Sequence, residues 1–489
     1  MNILLICKGE YRYFFPAVAD ALRERCGAKV SAVAFSSPTT RMLEKTRAFH
    51  DVFSLAAWLK EQKGANGTGC LETLRSLEAL SGSVKINTMI HADRVLGGYP
   101  EEQIIAILAG VVEFWESIWK ERPPHAVVGE VACATEWIGW LTAREHGIPY
   151  FIPCPTPVAN RFFFLDAPDG TWQAMAAAFR RSSKRKLALE EASAAEEFIQ
   201  RFRAKKTKPP FLQWAQRSPL IPDFPRLARR AARIPFRIRT HIEDGRFEVG
   251  SYHGTPPWQP VWQDAARIAR HAANEMAIFA HHVDTRRPSV YFPLHVQPEF
   301  TTDVRAPFFT NQIALIENIS KSVPAGYQVL VKEHPGMKGE RNLSYYRNLR
   351  KLHNVQLLSP LLDSHDLIQA ADAVLTITGS SAWEAILYEK PVVSFGPLYY
   401  GFYDLMYPCG NIADLPRVLS EAIEGFVPKH ELLLKLVWAL LESAHELEWA
   451  DPVRQPRVAE KRNCEKVADA IVAELASRVA ARPEKAMLA

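Results

Sequence analysis

Two series of short apolar runs, each run separated from the next by a helix-length amphipathic stretch, limit what this chain can fold into. In the first series, 2–7, 29–35, 125–130 and 149–152 read as strands. Helical patterns lie between them near 14–25, 41–62, 71–95, 101–120 and 132–147, with Gly147 a helix stop. The second series opens at Ser289 with strands at 289–295, 327–333, 355–359, 373–378 and 391–395. Helices are expected at 309–322, 342–352, 363–371 and 380–389, then near 412–424, 429–447 and 464–481. Such alternation predicts two parallel sheets covered by helices on both faces. From about 155 to 285 the alternation stops and Pro, Arg and Trp accumulate, which reads as helices and loops with a bridging helix near 259–284. The expected division is a Rossmann-like domain over 1–175, a helical basic linker over 176–286, a second Rossmann-like domain over 287–425, and C-terminal helices over 426–489. A chain of 489 residues is too long for one ordinary core, and a cleft between two such domains is a natural small-molecule site.

Charge and cysteines narrow the setting. Between Arg180 and Thr240 there are 17 Lys and Arg against five Asp and Glu, a net +12, which leaves −7 for the rest of a chain whose total is +5. Arg226, Arg229, Arg230, Arg233, Arg237 and Arg239 alternate with Phe224, Leu227, Ile234 and Phe236. Over 224–239 this fits an anionic membrane surface, a polyanionic acceptor, or a solvated face of snorkelling arginines. No nucleic-acid partner is expected, because no recognised fold module accompanies the charge. No run of about 18 apolar residues exists to cross a bilayer. Seven scattered cysteines without a Cys-x-x-Cys pair fit a reduced, cytoplasmic setting, peripheral to the inner membrane if the basic segment binds lipid. No His/Cys/Asp cluster has metal-ligand spacing, so no metal and no cofactor is expected. The adjacent pair His281-His282 reads as structural.

The residues suited to chemistry stand where apolar strands end. Val329-Leu-Val-Lys-Glu ends at His334-Pro335, with Lys332 on the same strand face as His334. An imidazole there can donate to a leaving phosphate, or merely cap a turn. Thr378-Gly379-Ser380-Ser381 is a small-residue turn between a strand and a helix, suited to an anion or to plain N-capping. Glu384 can serve a capping box or accept from ribose hydroxyls. His295 and Glu299 follow the first strand of the second series and line the cleft or pack the loop. Glu130 ends an apolar strand of the first series, where a carboxylate can act as base or nucleophile. Glu136 reads as a solvated helix face. No Walker-type loop or Gly-x-Ser-x-Gly elbow is present.

Together, Tyr291-Phe-Pro-Leu-His-Val-Gln-Pro-Glu299, Val331-Lys-Glu-His-Pro335, Thr376-Ile-Thr-Gly-Ser-Ser-Ala-Trp-Glu-Ala385 and Lys390-Pro-Val-Val-Ser-Phe-Gly396 resemble the bacterial capsule polysaccharide biosynthesis family. That family includes enzymes that transfer Kdo (3-deoxy-manno-octulosonic acid) from CMP-Kdo. The likeness is carried over about 289–400; the first half offers only Val127-Val-Gly-Glu130 and Gly147-Ile-Pro149. It implies a GT-B α/β fold with two Rossmann-like domains, and a donor held mainly by the second. It implies that His334, Ser380 and Ser381 meet the donor phosphate, as in bacterial sialyltransferases with a His-Pro motif. Lys332, Pro335, Thr378, Gly379, Glu384, His295 and Glu299 then complete the donor side, and Arg161 is the candidate partner of the sugar carboxylate. Related retaining transferases use an acidic residue of the first half, generally Asp; Glu130 is the best-placed candidate for that role here and departs from that pattern. The resemblance implies a CMP-linked sugar, a glycan or glycolipid acceptor, and catalysis without bound metal. The alternatives are a UDP-sugar or CDP-glycerol donor, or a non-catalytic component of a polysaccharide export complex.

Overall fold

The computed structural model describes residues 1–61, 68–81, 84–93, 95–156, 158, 160–206, 224–247, 259–401, 404–453 and 455–486. The first half holds β1 (Asn2–Ile6), β2 (Lys29–Ala34), β3 (Val52–Ser54), β4 (Ala126–Val128), β5 (Tyr150–Pro155) and β6 (Phe162–Leu165). Their order is β3-β2-β1-β4-β5-β6, parallel except for β6, which runs antiparallel to β5. The second half holds β7 (Ser289–Pro293), β8 (Gln328–Lys332), β9 (Val355–Leu358), β10 (Ala373–Thr376), β11 (Val392–Ser394) and β12 (Tyr407–Pro408). Their order is β12-β11-β10-β7-β8-β9, parallel throughout. Each sheet starts at a central strand, winds out to one edge, then returns to wind out to the other. The reversal falls between β1 and β4 in one sheet and between β7 and β10 in the other. In a doubly wound sheet that reversal opens a crevice beyond the carboxyl ends of the strands.

The strand sequences explain the layers. A parallel strand covered on both faces is apolar at every position rather than at alternate ones. In β1, Leu4 and Ile6 enter one buried cluster while Ile3 and Leu5 enter the other. Helix Phe15–Cys26 closes β1 back onto β2 and stops at Gly27, whose φ of 64° suits a residue without Cβ. The chain's last helix, Lys461–Ala486, packs on it; Val467, Ala468 and Ile471 share a cluster with Phe15, Val18 and Leu22. Helix His430–Ser443 covers Gln173–Ser183 and Leu189–Lys205. The last helix therefore returns to the first half, and the helix before it to the helices that follow β6. Phe162 and His445 exchange backbone hydrogen bonds of 2.9 and 2.7 Å at that junction.

Several expectations need correction. The helical stretch 41–62 is two helices, Ser37–Thr46 and Leu55–Glu61, with β3 between them. The stretch 71–95 is also two, Thr68–Ser81 and Ile86–Ala92. The bridging helix stops at Ala277 rather than 284, so His281 and His282 lie beyond it. The strand pattern missed β3, β6 and β12. β3 and β12 are two- or three-residue edge strands, too short for a period to register. In β6, Phe162-Phe-Phe-Leu is buried at every position, and its Arg-Pro surroundings masked an edge strand added antiparallel.

The halves meet through side chains as well as through the returning helices. Tyr399 packs its ring against Phe163 at 4.9 Å and Trp172 at 5.8 Å. The short helix Phe300–Asp303 lies on Ile86–Ala92.

Candidate active site

The carboxyl ends of β8, β7 and β10 are neighbours, and they carry His334, His295 and the Thr378–Ser381 turn. Sequence order separates these groups; the winding of the sheet brings them together. His334 follows β8 and caps the next turn, with the Gly336 N–H donating to its Nδ1 at 3.0 Å. Because Nδ1 accepts, the neutral ring holds its proton on Nε2, by hydrogen-bond assignment. Burial and the nearby cations Lys332 and Arg341 pull its pKa down to about 4, so the ring is neutral near pH 7. The bland reading of His334 as a turn cap is thus true of one nitrogen and leaves the other as a donor. Lys332 is buried and donates to Ser364 Oγ at 2.9 Å, so its charge reaches His334 through space.

His295 is a brace. Its Nε2 accepts from the Ile377 and Thr378 N–H groups at 3.2 and 3.4 Å and lies 3.0 Å from Thr376 Oγ1. Burial first, then His334 and Arg341, push its pKa down to about 3. The Gly379 N–H donates to Thr376 Oγ1 at 3.0 Å. A Cβ on Gly379 would lie 2.9 Å from Thr376 Oγ1 and 3.0 Å from His295 Nε2, so only glycine lets the turn close here. Ser380 precedes helix Ser381–Leu387 and makes no side-chain cap, and Ser381 Oγ is buried with no hydrogen-bond partner among the described residues. Plain capping therefore accounts for neither serine. Glu384 is 4% exposed one turn into this helix. Tyr400 supports the turn from behind, its hydroxyl accepting from the Trp383 N–H at 3.1 Å and donating to the Gly379 carbonyl at 3.3 Å.

Glu333, Arg341 and Tyr346 went unnoticed in the sequence. The Glu333 and Arg341 side chains are 1% and 7% exposed and form a buried ion pair. Glu333 also accepts from the Tyr346 hydroxyl and the His334 N–H at 2.5 Å each, while Arg341 donates to the His295 carbonyl. This pair locks the loops after β7 and β8 to each other. A signal was present, since a carboxylate inside an apolar strand is rarely buried unpaired. Glu299 caps the short helix Phe300–Asp303 beside them, and its N–H donates to Asp303 Oδ2 at 2.8 Å.

In the first half the corresponding ends are charged. Glu130 follows β4 and accepts from the Tyr11 hydroxyl at 2.5 Å. Gly129 permits that position: a Cβ there would lie 2.5 Å from Ile6 Cβ on β1. Glu136 is a correction. It is not on a solvated face; it is fully buried, pairs with Lys8 at 3.1 Å and accepts from the Ala132 N–H at 2.8 Å. Burial raises its pKa and Lys8 opposes the rise. Arg161 lies half-buried in the connection from β5 to β6, where its carbonyl accepts from Thr156. In the basic segment, Phe224–Glu243 is one helix, but the side chains of 224–231 and 233, including Arg226, Arg229, Arg230 and Arg233, lie outside the described residues. Among the described residues, no group of three or more His, Cys, Asp or Glu is placed to hold a metal, and no helix is long and apolar enough to cross a membrane.

Residues 266–408 match the family described as capsule polysaccharide biosynthesis protein. No curated protein sequence matches the chain. Among solved structures, a β-Kdo 2,4-transferase of Thermosulfurimonas dismutans (KpsC) is similar at 13% identity over 73% of this chain and 92% of its own, with a TM-score of 0.40. The β-Kdo 2,7-transferase of the same KpsC is similar at 12% identity over 74% and 88%, with a TM-score of 0.38. HepE of Anabaena, solved in complex with UDP-glucose, is similar at 12% identity over 97% and 100%, with a TM-score of 0.29. The chain folds as two doubly wound α/β sheets of the same winding order, and the part that carries His295, His334 and the Thr378–Ser381 turn matches the capsule polysaccharide biosynthesis family.

Proposed function

We propose that the protein is a glycosyltransferase of bacterial surface-polysaccharide assembly that moves Kdo from CMP-Kdo to a glycan or glycolipid acceptor. The observation that carries this reading is the placement of His334 and the Thr378–Ser381 turn on the two strand ends that flank β7, beside the reversal of the second sheet and inside the family-matched segment. In this reading CMP departs as the sugar–phosphate bond breaks, and the phosphate keeps the bonding electron pair. The His334 Nε2–H and the Ser380 and Ser381 hydroxyls donate to that phosphate, and Lys332 adds positive field. Glu384 accepts from the ribose. Glu130, half-buried beside Tyr11, acts at the anomeric carbon from the opposite half. The reading uses no metal or other cofactor. A UDP-sugar or CDP-glycerol donor is the competing reading, because neutral imidazole and hydroxyl donors suit any phosphate.

The acceptor side includes an anionic membrane surface. On helix Phe224–Glu243, Ile234, Ile238 and Ile242 are 36%, 41% and 76% exposed at four-residue spacing, an apolar stripe beside a basic sequence. Flotation with anionic and neutral liposomes tests this; equal partition between them refutes the electrostatic part.

For the donor, CMP release from CMP-Kdo in the presence of a Kdo-terminated glycolipid is the test. Release by the wild type and its loss in His334→Ala support the reading. Release from a UDP-sugar or CDP-glycerol, with none from CMP-Kdo, overturns it.

A further inference from the structure

Arg305 stands at the seam of the two halves with a guanidinium that the protein leaves largely unused. It follows helix Phe300–Asp303 of the second half, and its Nε–H donates to the Pro168 carbonyl of the first half at 2.6 Å. The turn after β6 shapes itself around it: Gly170 has a φ of +92°, and a Cβ there would lie 3.2 Å from Arg305 Nη1. Among the described residues Arg305 forms no ion pair, and neither terminal nitrogen has a hydrogen-bond partner. Asp169 and Glu299 act on it only through space, and burial pushes its pKa below the usual arginine range. Its side chain is half-buried, so the charge is partly desolvated with no paired counter-charge among the described residues.

Its position relative to the proposed chemistry is specific. On the donor side, Thr302 Oγ1 lies 3.3 Å from Thr378 Oγ1, and a Cβ at Gly396 would lie 2.8 Å from Thr378 Cγ2 and 2.9 Å from Ala306 Cβ. The segment bearing Arg305 therefore packs directly on the phosphate-side turn. On the other side is Cys154 at the end of β5, whose thiol is pushed up to about 12 by burial, with Arg305 opposing and Glu130 adding to the rise. The segment of Arg305 thus packs on the turn assigned to the departing phosphate, and its charge reaches Cys154, which also feels the carboxylate assigned to the anomeric carbon. In a 2-ulosonic acid the carboxylate is bonded to the anomeric carbon itself, so its partner must lie within reach of that carbon. Among the described residues Arg161 makes no hydrogen bond or ion pair with the donor turn, whereas Arg305 touches both halves.

We propose that Arg305, rather than Arg161, is the guanidinium that recognises the carboxylate of a nucleotide-linked acidic sugar, and that it selects this donor class at the seam between the halves. The inference rests on the CMP-Kdo reading above. A guanidinium presents paired donors that match a carboxylate, a geometry lysine lacks.

The test measures binding of CMP-Kdo and of CMP alone by calorimetry to the wild type, Arg305→Lys and Arg305→Gln, with circular dichroism as the fold control. Arg305→Gln is expected to weaken CMP-Kdo about 10- to 100-fold while leaving CMP within about twofold. Arg305→Lys is expected to fall between, and Arg161→Gln to match the wild type. Equal losses for CMP and CMP-Kdo, or no loss for either, overturn the assignment. A larger selective loss in Arg161→Gln returns the role to Arg161. If the wild type binds neither CMP nor CMP-Kdo, the donor reading itself fails, and the carboxylate assignment fails with it.

Discussion

The two halves share one winding order and differ in what they place at the reversal. Beyond β7, β8 and β10 the second half presents a neutral His334, two serines and a glycine, held by a buried Glu333–Arg341 pair. Beyond β1 and β4 the first half presents Lys8, Tyr11, Glu130 and Glu136. Repetition of a fold therefore does not repeat a site. Neutral donors on a rigid frame suit a phosphate that arrives and leaves with its own charge. Carboxylates near a hydroxyl and an ammonium suit a reacting carbon that becomes positive. The comparison predicts a division of labour, with donor binding in the second half and rate in the first.

The largest effect should come from the frame itself. Arg341→Met leaves Glu333 charged and buried, at a cost of about 3–5 kcal/mol of folding stability. Urea unfolding reads this directly, and a loss below about 1 kcal/mol would show that the pair does not brace the loops. Next, His334→Ala should lower transfer about 10²- to 10³-fold with the unfolding midpoint preserved. Glu130→Gln should lower transfer about 100-fold while CMP affinity stays unchanged, as isothermal titration would show. If Glu130→Gln weakens CMP instead, the division of labour is broken. Gly379→Ala should weaken CMP about tenfold, since its Cβ would displace Thr376 or His295.

The smallest effect is in pH. His334 and His295 have folded pKa values of about 4 and about 3, below the ordinary value of 6.5. A depressed histidine binds fewer protons when folded, so its stability contribution is full above about 6.5 and is lost as pH falls towards the folded value. Stability should fall by about 1 kcal/mol per pH unit for each such ring between about pH 6 and pH 4. His334→Ala should flatten that slope.

The sequence showed the strands that are long and buried, because parallel strands must be apolar throughout. It showed the residues at their ends, because polar side chains there interrupt an apolar run. It did not show that β7 lies between β8 and β10, a property of winding that no local pattern carries. That adjacency turns His295 from a lining residue into the brace of the Thr378 turn. Glu136 was misread because its spacing resembles a wet helix face, while its partner Lys8 is 128 residues away. Arg305 sits in a segment with no strand or helix period of its own, and only contact with Pro168 across the seam gives it meaning.

The central claim is that the strand ends of the second half hold the phosphate of a cytidine monophosphate. Thermal unfolding with CMP, CDP, UDP and GDP tests it most directly, because a ligand that binds only the folded state raises the midpoint by mass action. The account predicts the largest rise with CMP in the wild type and a much smaller one in His334→Ala. A rise with UDP and none with CMP would contradict it.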